Sequence, residues 1–350
     1  MELSGRTVVV TGGAGFIGSH LVDVLLARGN RVVVIDDFSS GSRANLAHQQ
    51  GHDRLSIAEI DVCDSARLEP AIAGSECVFH LATRSVRLSL AQPSRVHEVN
   101  TTGTFNVLKA AARHGVGRFL YCSSSEVNGT ADVVPMPEQY VFRPETIYGA
   151  SKLAGEYYAQ VFFRSGWLPV VIARPHNNYG PREHYEGSKA EVIPRFILQA
   201  FAGIAPTIYG EGTQTRDFTY VSETADYLVR LAESDAALGK TYNVCRSEEV
   251  SIRQIASLVS ELVAGPTGLR REPIFLPARP SDVLRLYGDN GALRELLGSA
   301  PRVGIRDGLE RTVRWFRENV DVTPELLGSL KSENWTVTPL EPWLAALRAR

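Results

Sequence analysis

The chain has 350 residues, of which 44% are hydrophobic and 22% are charged, and its formal net charge is −2. This size and composition predict more than one globular domain and disfavour fibrous and disordered classes. The balanced charge disfavours nucleic-acid and anionic-membrane partners, and no apolar run approaches the roughly 18 residues of a spanning helix. We therefore expect a cytoplasmic protein without a targeting leader, a membrane segment or a nucleic-acid partner.

The cysteines are far apart in the sequence and form no C-x-x-C pair (Cys63, Cys77, Cys122 and Cys245). This spacing is typical of reduced thiols and not of a disulfide framework or a zinc site. We predict no metal centre in this protein.

Short, almost entirely apolar runs alternate with helical patterns through the first half of the chain. The predicted strands are Arg6–Thr11, Arg31–Ile35, Leu55–Ile60, Cys77–Leu81, Arg118–Cys122 and Pro169–Ala173. Helical patterns lie between them, notably at Val96–His114 and Tyr148–Arg164. Apolar strands that alternate with helices predict an α/β fold with a doubly wound parallel sheet covered on both faces.

The second half of the chain is more polar and richer in turns, beginning after Arg174. Its predicted elements are helices at Val192–Ala202, Glu223–Glu233 and Ser251–Val263, and strands at Asp217–Val221 and Tyr242–Val244. We predict a first domain over residues 1–175 with returning segments near 210–245, and a smaller domain over residues 176–318. Residues 319–350 are predicted to be a C-terminal extension, to which the sequence assigns no role.

A glycine-rich turn, T-G-G-A-G-F-I-G, joins the first strand to the first helix. Glycines at this spacing allow a tight turn, let backbone N–H groups approach a pyrophosphate, and let the helix pack closely on the strand. The turn therefore predicts a dinucleotide site formed by Gly12, Gly15, Phe16, Ile17 and Gly18.

Asp36 ends the second strand, where a carboxylate accepts hydrogen bonds from adenosine ribose hydroxyls and repels a 2′-phosphate. This favours NAD over NADP. The neighbouring Asp37 carboxylate strengthens this expectation, and the positive charge of the nearby Arg43 weakens it. Asp61 and Val62 follow the third strand and are candidates for the adenine edge, although a helix cap is an equally simple explanation.

Tyr148 and Lys152 lie four residues apart in Y-G-A-S-K, so both side chains leave one face of the predicted helix. A Lys ammonium and an oxidised nicotinamide favour the phenolate, which we expect to bring the Tyr148 pKa toward neutral. A phenolate there is a suitable base for an alcohol that loses hydride. Ser123, Ser124 and Ser125 follow a strand and supply hydroxyls that can share the proton.

These motifs together resemble the extended short-chain dehydrogenase/reductase family, in its nucleotide-sugar epimerase/dehydratase group. The resemblance spans roughly residues 5–318 and rests on T-G-G-A-G-F-I-G-S-H, F-H-L-A, V-N-T-T-G-T-F-N-V-L, S-S-S-E-V, Y-G-A-S-K, R-P-H-N-N-Y-G-P-R and Y-G-E-G-T-Q-T-R-D-F-T-Y-V. It implies a Rossmann domain that binds NAD and a smaller C-terminal domain that closes over a nucleoside-diphosphate sugar. It also implies a homodimer whose subunits pair two helices each into a four-helix bundle, with second apolar stripes at Val107, Ala110, Ala111, Tyr157, Val161 and Phe162.

The resemblance also implies roles for individual residues. Ser124, Tyr148 and Lys152 match the hydride-transfer residues. The cofactor is held by positions that include Leu81, Ala82 and Asn100, and the substrate by positions that include Arg87, Ser125, Asn177, Arg216 and Arg279. Two of these arginines, Arg216 and Arg279, match a diphosphate clamp, for which planar bidentate donors are suited.

The shared first step of this group is oxidation of the sugar at C4, after which three reactions are open. The 4-keto sugar is re-reduced from the other face, loses water across C5 and C6, or loses a C6 carboxylate. Glu126 matches the position of a C5 base in dehydratases and decarboxylases, so we favour a 4,6-dehydratase, with a 4-epimerase and a uronic-acid decarboxylase as alternatives. A non-catalytic dinucleotide sensor is the alternative from a different class.

Three departures from the family pattern affect this choice. Ser125 replaces the Asp that acts as general acid in common dehydratases. Asn128 replaces a Tyr and His176 replaces an aromatic residue, and either change is expected to reshape the sugar pocket. His184 is a further pocket candidate, but we expect it to be an exposed loop residue.

Overall fold

The computed structural model describes residues 1–265, 268, 270–278, 283–330 and 340–348. The strands in these ranges are β1 (Thr7–Thr11), β2 (Arg31–Asp36), β3 (Leu55–Glu59), β4 (Cys77–His80), β5 (Arg118–Cys122), β6 (Val170–Pro175), β7 (Asn178–Tyr179), β8 (Thr207–Tyr209), β9 (Thr215–Arg216), β10 (Thr219–Tyr220), β11 (Thr241–Val244), β12 (Val250–Ser251), β13 (Ile274–Leu276) and β14 (Arg285–Leu286). The α-helices are α1 (Phe16–Ala27), α2 (Ser65–Ile72), α3 (Val86–Ser89), α4 (Pro93–His97), α5 (Thr104–Arg113), α6 (Ile147–Arg164), α7 (Val192–Phe201), α8 (Val221–Glu233), α9 (Ile252–Ala264), α10 (Gly291–Leu297), α11 (Ile305–Asn319), α12 (Pro324–Ser329) and α13 (Pro342–Arg348).

Seven parallel strands form the main sheet, in the order β3-β2-β1-β4-β5-β6-β11. The sheet is covered on both faces: Val8 and Val10 pack into one apolar core and Val9 into the other. This alternation follows from the pleat, which turns successive side chains to opposite faces. The predicted doubly wound α/β fold is confirmed. The strand order reverses between β1 and β4, which opens a crevice at their carboxyl ends.

Helices from both halves of the chain cover the main sheet. Leu21 and Leu25 of α1 share the first core with Leu228 and Leu231 of α8, while α5 and α6 contribute to the second core. The late strand β11 pairs with β6 at the edge of the sheet. We therefore propose a nucleotide-binding domain that consists of residues 1–175 together with α8 and β11.

The predicted helix over Val96–His114 is divided in the structure. Helix α4 ends at His97, a π-helical segment spans Glu98–Gly103, and α5 begins at Thr104. A Cβ on Gly103 would come within 2.6 Å of Cγ2 of Val62. The segment therefore approaches the end of β3 more closely than any residue with a side chain at position 103 would allow. The widened turn brings the side chain of Asn100 to the loop after β4.

The smaller lobe has its own apolar core between α7, α9 and α11, with Phe196, Ile255 and Phe316 at its centre. The predicted strand over Asp217–Val221 is interrupted, since β9 and β10 flank Asp217. The buried Asp217 carboxylate accepts hydrogen bonds from the backbone N–H groups of Arg246, Ser247 and Gly288 at 3.1, 3.0 and 3.3 Å. The interruption therefore connects the lobe to the end of β11.

The C-terminal extension contacts both parts of the protein. The Ser329 hydroxyl, at the end of α12, accepts a hydrogen bond from the Gly187 N–H at 3.1 Å. Farther along, the Glu341 carboxylate accepts the backbone N–H groups of Ser94 and Arg95 at 2.9 and 3.3 Å, which satisfies the first turn of α4. Residues 331–339 between these contacts lie outside the described ranges.

Candidate active site

The glycine-rich loop after β1 has a geometry that only glycine permits at two positions. Gly12 has a φ of +70°, and a Cβ on it would lie 2.7 Å from the backbone nitrogen of Ala82. A Cβ on Gly18 would overlap the carbonyl oxygen of Gly12. Helix α1 begins at Phe16 without a side-chain cap, so its first backbone N–H groups face the crevice. Such a helix start suits a pyrophosphate.

A cavity at the carboxyl ends of the strands contains most of the predicted cofactor residues. Those that line it are Gly12, Gly15, Phe16, Ile17, Gly18, Asp36, Asp61, Val62, Leu81, Ala82, Tyr148 and Lys152, together with Ser123, Ser124, Ser125 and Glu126. The glycine-rich loop and the strand ends thus line one continuous cavity.

Asn100 does not line this cavity. Its Oδ1 accepts the Arg84 N–H at 2.7 Å, and its Nδ2 donates to the Ser151 hydroxyl at 3.0 Å. Asn100 therefore fixes the loop after β4 to helix α6.

Asp36 is held by the loops it joins. Its Oδ2 accepts the Ala14 N–H at 2.9 Å and its Oδ1 accepts the Phe38 N–H at 2.8 Å. Burial raises the pKa of this carboxyl, while the two backbone donors oppose the rise. Each oxygen keeps a further lone pair, so the carboxylate can still accept a ribose hydroxyl.

Arg84 was missed by the sequence analysis, although it lines the same cavity and is buried. Its guanidinium donates to Asp37 Oδ2 at 2.9 Å and to the Ser39 hydroxyl. Because Arg84 neutralises Asp37, repulsion of a 2′-phosphate rests on Asp36. Arg43, which was expected to soften that repulsion, instead pairs with Glu59 at 2.5 Å.

Helix α6 presents Lys152 and Tyr148 to the cavity from one face. Lys152 Nζ donates to the Cys122 carbonyl at 2.5 Å, and burial lowers the Lys152 pKa to about 8. Burial raises the pKa of Tyr148, the hydrogen bond with Ser124 opposes the rise, and the Glu126 carboxylate adds to it. These protein groups together raise the Tyr148 pKa and do not bring it toward neutral. The predicted shift therefore needs the additional positive charge that an oxidised nicotinamide carries.

A second cavity continues from the first, between the two lobes. Both are lined by Val86, Glu126, Asn177, Glu191, Val192 and Phe218. Arg87, Arg195 and Arg216 line the second cavity. The Nδ2 of Asn177 is buried and has no hydrogen-bond partner among the described residues. A buried amide donor and several guanidinium groups suit the oxygens of a phosphorylated sugar.

Two predicted substrate residues lie elsewhere or are not described. Ser125 is buried and lines the cofactor cavity but not the second cavity. Arg279 lies outside the described residues. The Nη1 of Arg216 donates to the carbonyls of Thr215 and Val283 at 2.8 and 2.7 Å, and these hydrogen bonds hold the side chain in place.

Three residues do not lie where the sequence analysis expected them: His184, His176 and Asn128. His184 is half-buried and lines the cofactor cavity, so its predicted exposure is wrong. His176 is fully buried against Gly288, where a Cβ would lie 2.6 Å from its Cε1. His176 and Asn128, which is also fully buried, line neither cavity. Neither side chain therefore forms part of the wall of these cavities.

Residues 180–191 form a bridging loop between the lobes. Lys189 Nζ donates to the Ser39 carbonyl at 2.8 Å, and Arg182 pairs with Asp23 at 2.7 Å. Glu183 in this loop is buried, and burial together with the Glu191 charge raises the pKa of Glu183 well above its usual range. The loop thus closes one side of the cofactor cavity and places there a carboxyl whose pKa is raised.

The match to a known family agrees with this geometry. The family model of the NAD-dependent epimerases and dehydratases matches residues 8–245. The chain belongs to the NAD-dependent epimerase/dehydratase family. Its cofactor is NAD, and it is an NAD-dependent nucleotide-sugar enzyme.

Three relatives carry different activities. The UDP-glucose 4-epimerase of Mycolicibacterium smegmatis is 37% identical, over 88% of this chain and 98% of its own length. The UDP-glucuronic acid decarboxylase 1 of Danio rerio is 34% identical, over 91% of this chain and 75% of its own. The structure of the dTDP-glucose 4,6-dehydratase DesIV from Streptomyces venezuelae, solved with NAD bound, has a TM-score of 0.83 and 32% identity, and the match covers 89% of this chain and 97% of that chain.

The described residues contain neither a membrane-spanning helix nor a metal-binding cluster. No helix in them is long and apolar enough to cross a bilayer. Nor do they hold a group of three or more His, Cys, Asp or Glu side chains arranged for a metal ion.

Asp36→Ala is expected to erode discrimination against NADP by tenfold or more, because a carboxylate that rejects a charged ligand is worth more than ~1.4 kcal/mol. Titration calorimetry of NAD and NADP on cofactor-free protein measures the ratio of dissociation constants. Asp53→Ala, at a well-exposed surface position, is the matched control for the charge change. Equal affinity of the unmodified protein for NAD and NADP would contradict the assignment.

Proposed function

We propose that this protein oxidises a nucleoside-diphosphate sugar at C4 and then eliminates water across C5 and C6, as a nucleotide-sugar 4,6-dehydratase. The observation that carries the proposal is the position of Glu126. Its carboxylate lines both the cofactor cavity and the second cavity, and its charge raises the pKa of Tyr148. A carboxylate is therefore close to the base that starts the reaction.

The first step uses three side chains of the cofactor cavity. Tyr148, as phenolate, takes the proton of the C4 hydroxyl, and Ser124 hydrogen-bonds to the phenolic oxygen. The Lys152 ammonium stays on the same helix face and favours the phenolate electrostatically. NAD, when bound, accepts the C4 hydride and later returns it. In this assignment the substrate diphosphate lies toward Arg195 and Arg216 in the second cavity.

The second step requires a base at C5. The C4 ketone acidifies the C5 hydrogen, and Glu126 takes that proton and passes it to the C6 hydroxyl, which leaves as water. The hydride then returns to C6 and a proton returns to C5, so the net change is loss of one water. Glu126 is held for this role in a short 3-10 turn, where its N–H donates to the Ser124 hydroxyl at 3.2 Å.

One observation favours a 4-epimerase as the second candidate. Ser125 carries a hydroxyl at the position where common dehydratases carry an acid, and a hydroxyl is a poor proton donor to a departing hydroxide. A 4-epimerase needs no such acid, since it returns hydride to C4 from the opposite face. The fate of the C5 hydrogen distinguishes the two candidates.

Incubation with UDP-, dTDP-, GDP- and CDP-hexoses in deuterated water tests the proposed reaction. We expect deuterium at C5 and the mass loss of one water from one of these sugars. An unchanged skeleton with inverted C4 and no deuterium would establish the 4-epimerase instead.

Tyr148→Phe and Glu126→Gln are expected to fail at different steps. Tyr148→Phe abolishes the reduction of bound NAD, because the alcohol proton has no acceptor. Glu126→Gln still forms NADH and the 4-keto sugar, while C5 exchange and product formation fall roughly a hundredfold, as expected for loss of one acid–base group. Absorbance of bound NADH and mass spectrometry of the sugar measure the two steps separately.

The exposed Glu145, just before α6, offers the control Glu145→Gln, which should leave both steps unchanged. Full turnover by Glu126→Gln, with inverted C4, would show that Glu126 is only a structural polar group.

We further propose that two subunits pair α5 and α6 into a four-helix bundle. The predicted stripe on α5 is wrong, since Val107, Ala110 and Ala111 are buried in the core of their own subunit, as is Phe162 on α6. Two members of the predicted stripe on α6, Tyr157 and Val161, are exposed, and with the exposed Phe105, Tyr158 and Trp167 they give these helices an apolar surface patch. A patch of this kind on the surface is typical of a protein interface.

Light scattering at micromolar concentration is expected to give the mass of a dimer. Val161→Asp should produce monomers, because it places a charge in the centre of the apolar patch. Ile204→Asp, at an equally exposed apolar position on the smaller lobe, should leave the dimer intact. A monomeric unmodified protein would contradict the proposed bundle.

A further inference from the structure

We propose that Glu191, held by Arg87, is a specificity-determining residue that selects nucleotide sugars without a charge at C6 and rejects hexuronates. The proposal rests on the proposed C4 oxidation, because it takes the sugar to lie between Tyr148 and Glu126.

The ion pair between Arg87 and Glu191 joins the two lobes at the cavity wall. Arg87 lies on α3, and Glu191 precedes the first residue of α7. The Arg87 NH1 donates to Glu191 Oε2 at 2.8 Å, its NH2 contacts Glu191 Oε1, and the same NH2 donates to the Lys189 carbonyl at 2.8 Å. Arg87 is thus committed to the bridging loop.

Glu191 faces the place where the sugar is expected to react. Like Glu126, it lines both the cofactor cavity and the second cavity. The charges of Glu126 and Glu191 both raise the Tyr148 pKa, after burial and against the hydrogen bond with Ser124. Two carboxylates therefore line the cavity wall near Tyr148.

A carboxylate at C6 of the sugar would bring a further negative charge next to Glu126, in a region where the positive charge of Arg87 is already paired with Glu191. Burial and the charge of Glu191 raise the pKa of Glu183, which disfavours a negative charge on that carboxyl. The guanidinium of Arg87, which would otherwise be a bidentate partner for a C6 carboxylate, already binds Glu191. Like charges at close range in a partly buried site are strongly unfavourable, whereas a C6 hydroxyl or methyl group carries no such penalty.

The test compares sugars that differ only at C6. Titration calorimetry on the NAD-loaded protein measures dissociation constants for UDP-glucose against UDP-glucuronate and for dTDP-glucose against dTDP-glucuronate. We expect at least tenfold weaker binding of the uronate in whichever pair binds. Glu191→Gln should reduce this ratio by tenfold or more, because it frees Arg87 to pair with the C6 carboxylate.

Arg87→Gln should shift the ratio in the opposite direction, since it leaves Glu191 without its partner. Glu261→Gln, which removes a half-buried carboxylate paired with Arg306 and Arg270 in the same lobe, is the control and should leave the ratio unchanged. The unmodified protein already gives the ratio of dissociation constants for the uronate and the hexose. The proposal can therefore be tested even if a variant fails to fold.

Binding separates this inference from the proposed function. Selective binding of the hexose without any NADH formation would overturn the proposed reaction and leave the selectivity in place. Equal or tighter binding of the uronate by unmodified protein, an unchanged ratio in Glu191→Gln, or no binding in either pair would overturn the role of Glu191.

Discussion

The close contact between helix α6 and the carboxyl end of β5 is the constraint on which the site depends. The Tyr121 hydroxyl donates to the Lys152 carbonyl at 3.1 Å, and Lys152 Nζ donates back to the Cys122 carbonyl. Two glycines allow this approach, since a Cβ on Gly149 would lie 2.6 Å from the Glu126 carbonyl oxygen and a Cβ on Gly155 would overlap the Tyr121 hydroxyl. Hydrogen bonds therefore hold the helix on the strand, and the two glycines leave room for this close packing because they have no side chain.

This contact brings together residues from two separate segments of the chain. Ser124 and Glu126 follow β5, and Tyr148 lies in the first turn of α6, so the approach of the helix sets their separation. The bridging loop adds Glu183 and Glu191 from the smaller lobe. The acidic and basic groups of the site thus come from three segments whose relative positions are set by packing.

The sequence predicted those parts of the site whose residues are close in the chain. The turn from Gly12 to Gly18 and the pair Tyr148 and Lys152 depend on local spacing, so strand and helix periodicity were sufficient to place them. Ion pairs across the fold were not predictable in this way. Arg87 and Glu191 are 104 residues apart, and Arg84 meets Asp37 over 47 residues. The roles of Arg84, Glu183 and Glu191 emerged only from their partners and burial. Local spacing also could not show that Asn100 faces a neighbouring loop instead of the cofactor.

Gly149→Ala tests most directly whether the approach of α6 to β5 sets the chemistry. The added Cβ would meet the Glu126 carbonyl and push the first turn of α6 away from Ser124 and Glu126, while the glycine-rich loop is untouched. We expect NAD affinity to stay within twofold and reduction of bound NAD by the active nucleotide sugar to fall at least tenfold, as misplacement of a catalytic base predicts. Gly328→Ala, where a Cβ would meet nothing within 4 Å, is the control. Undiminished reduction of NAD in the Gly149→Ala protein would contradict the account.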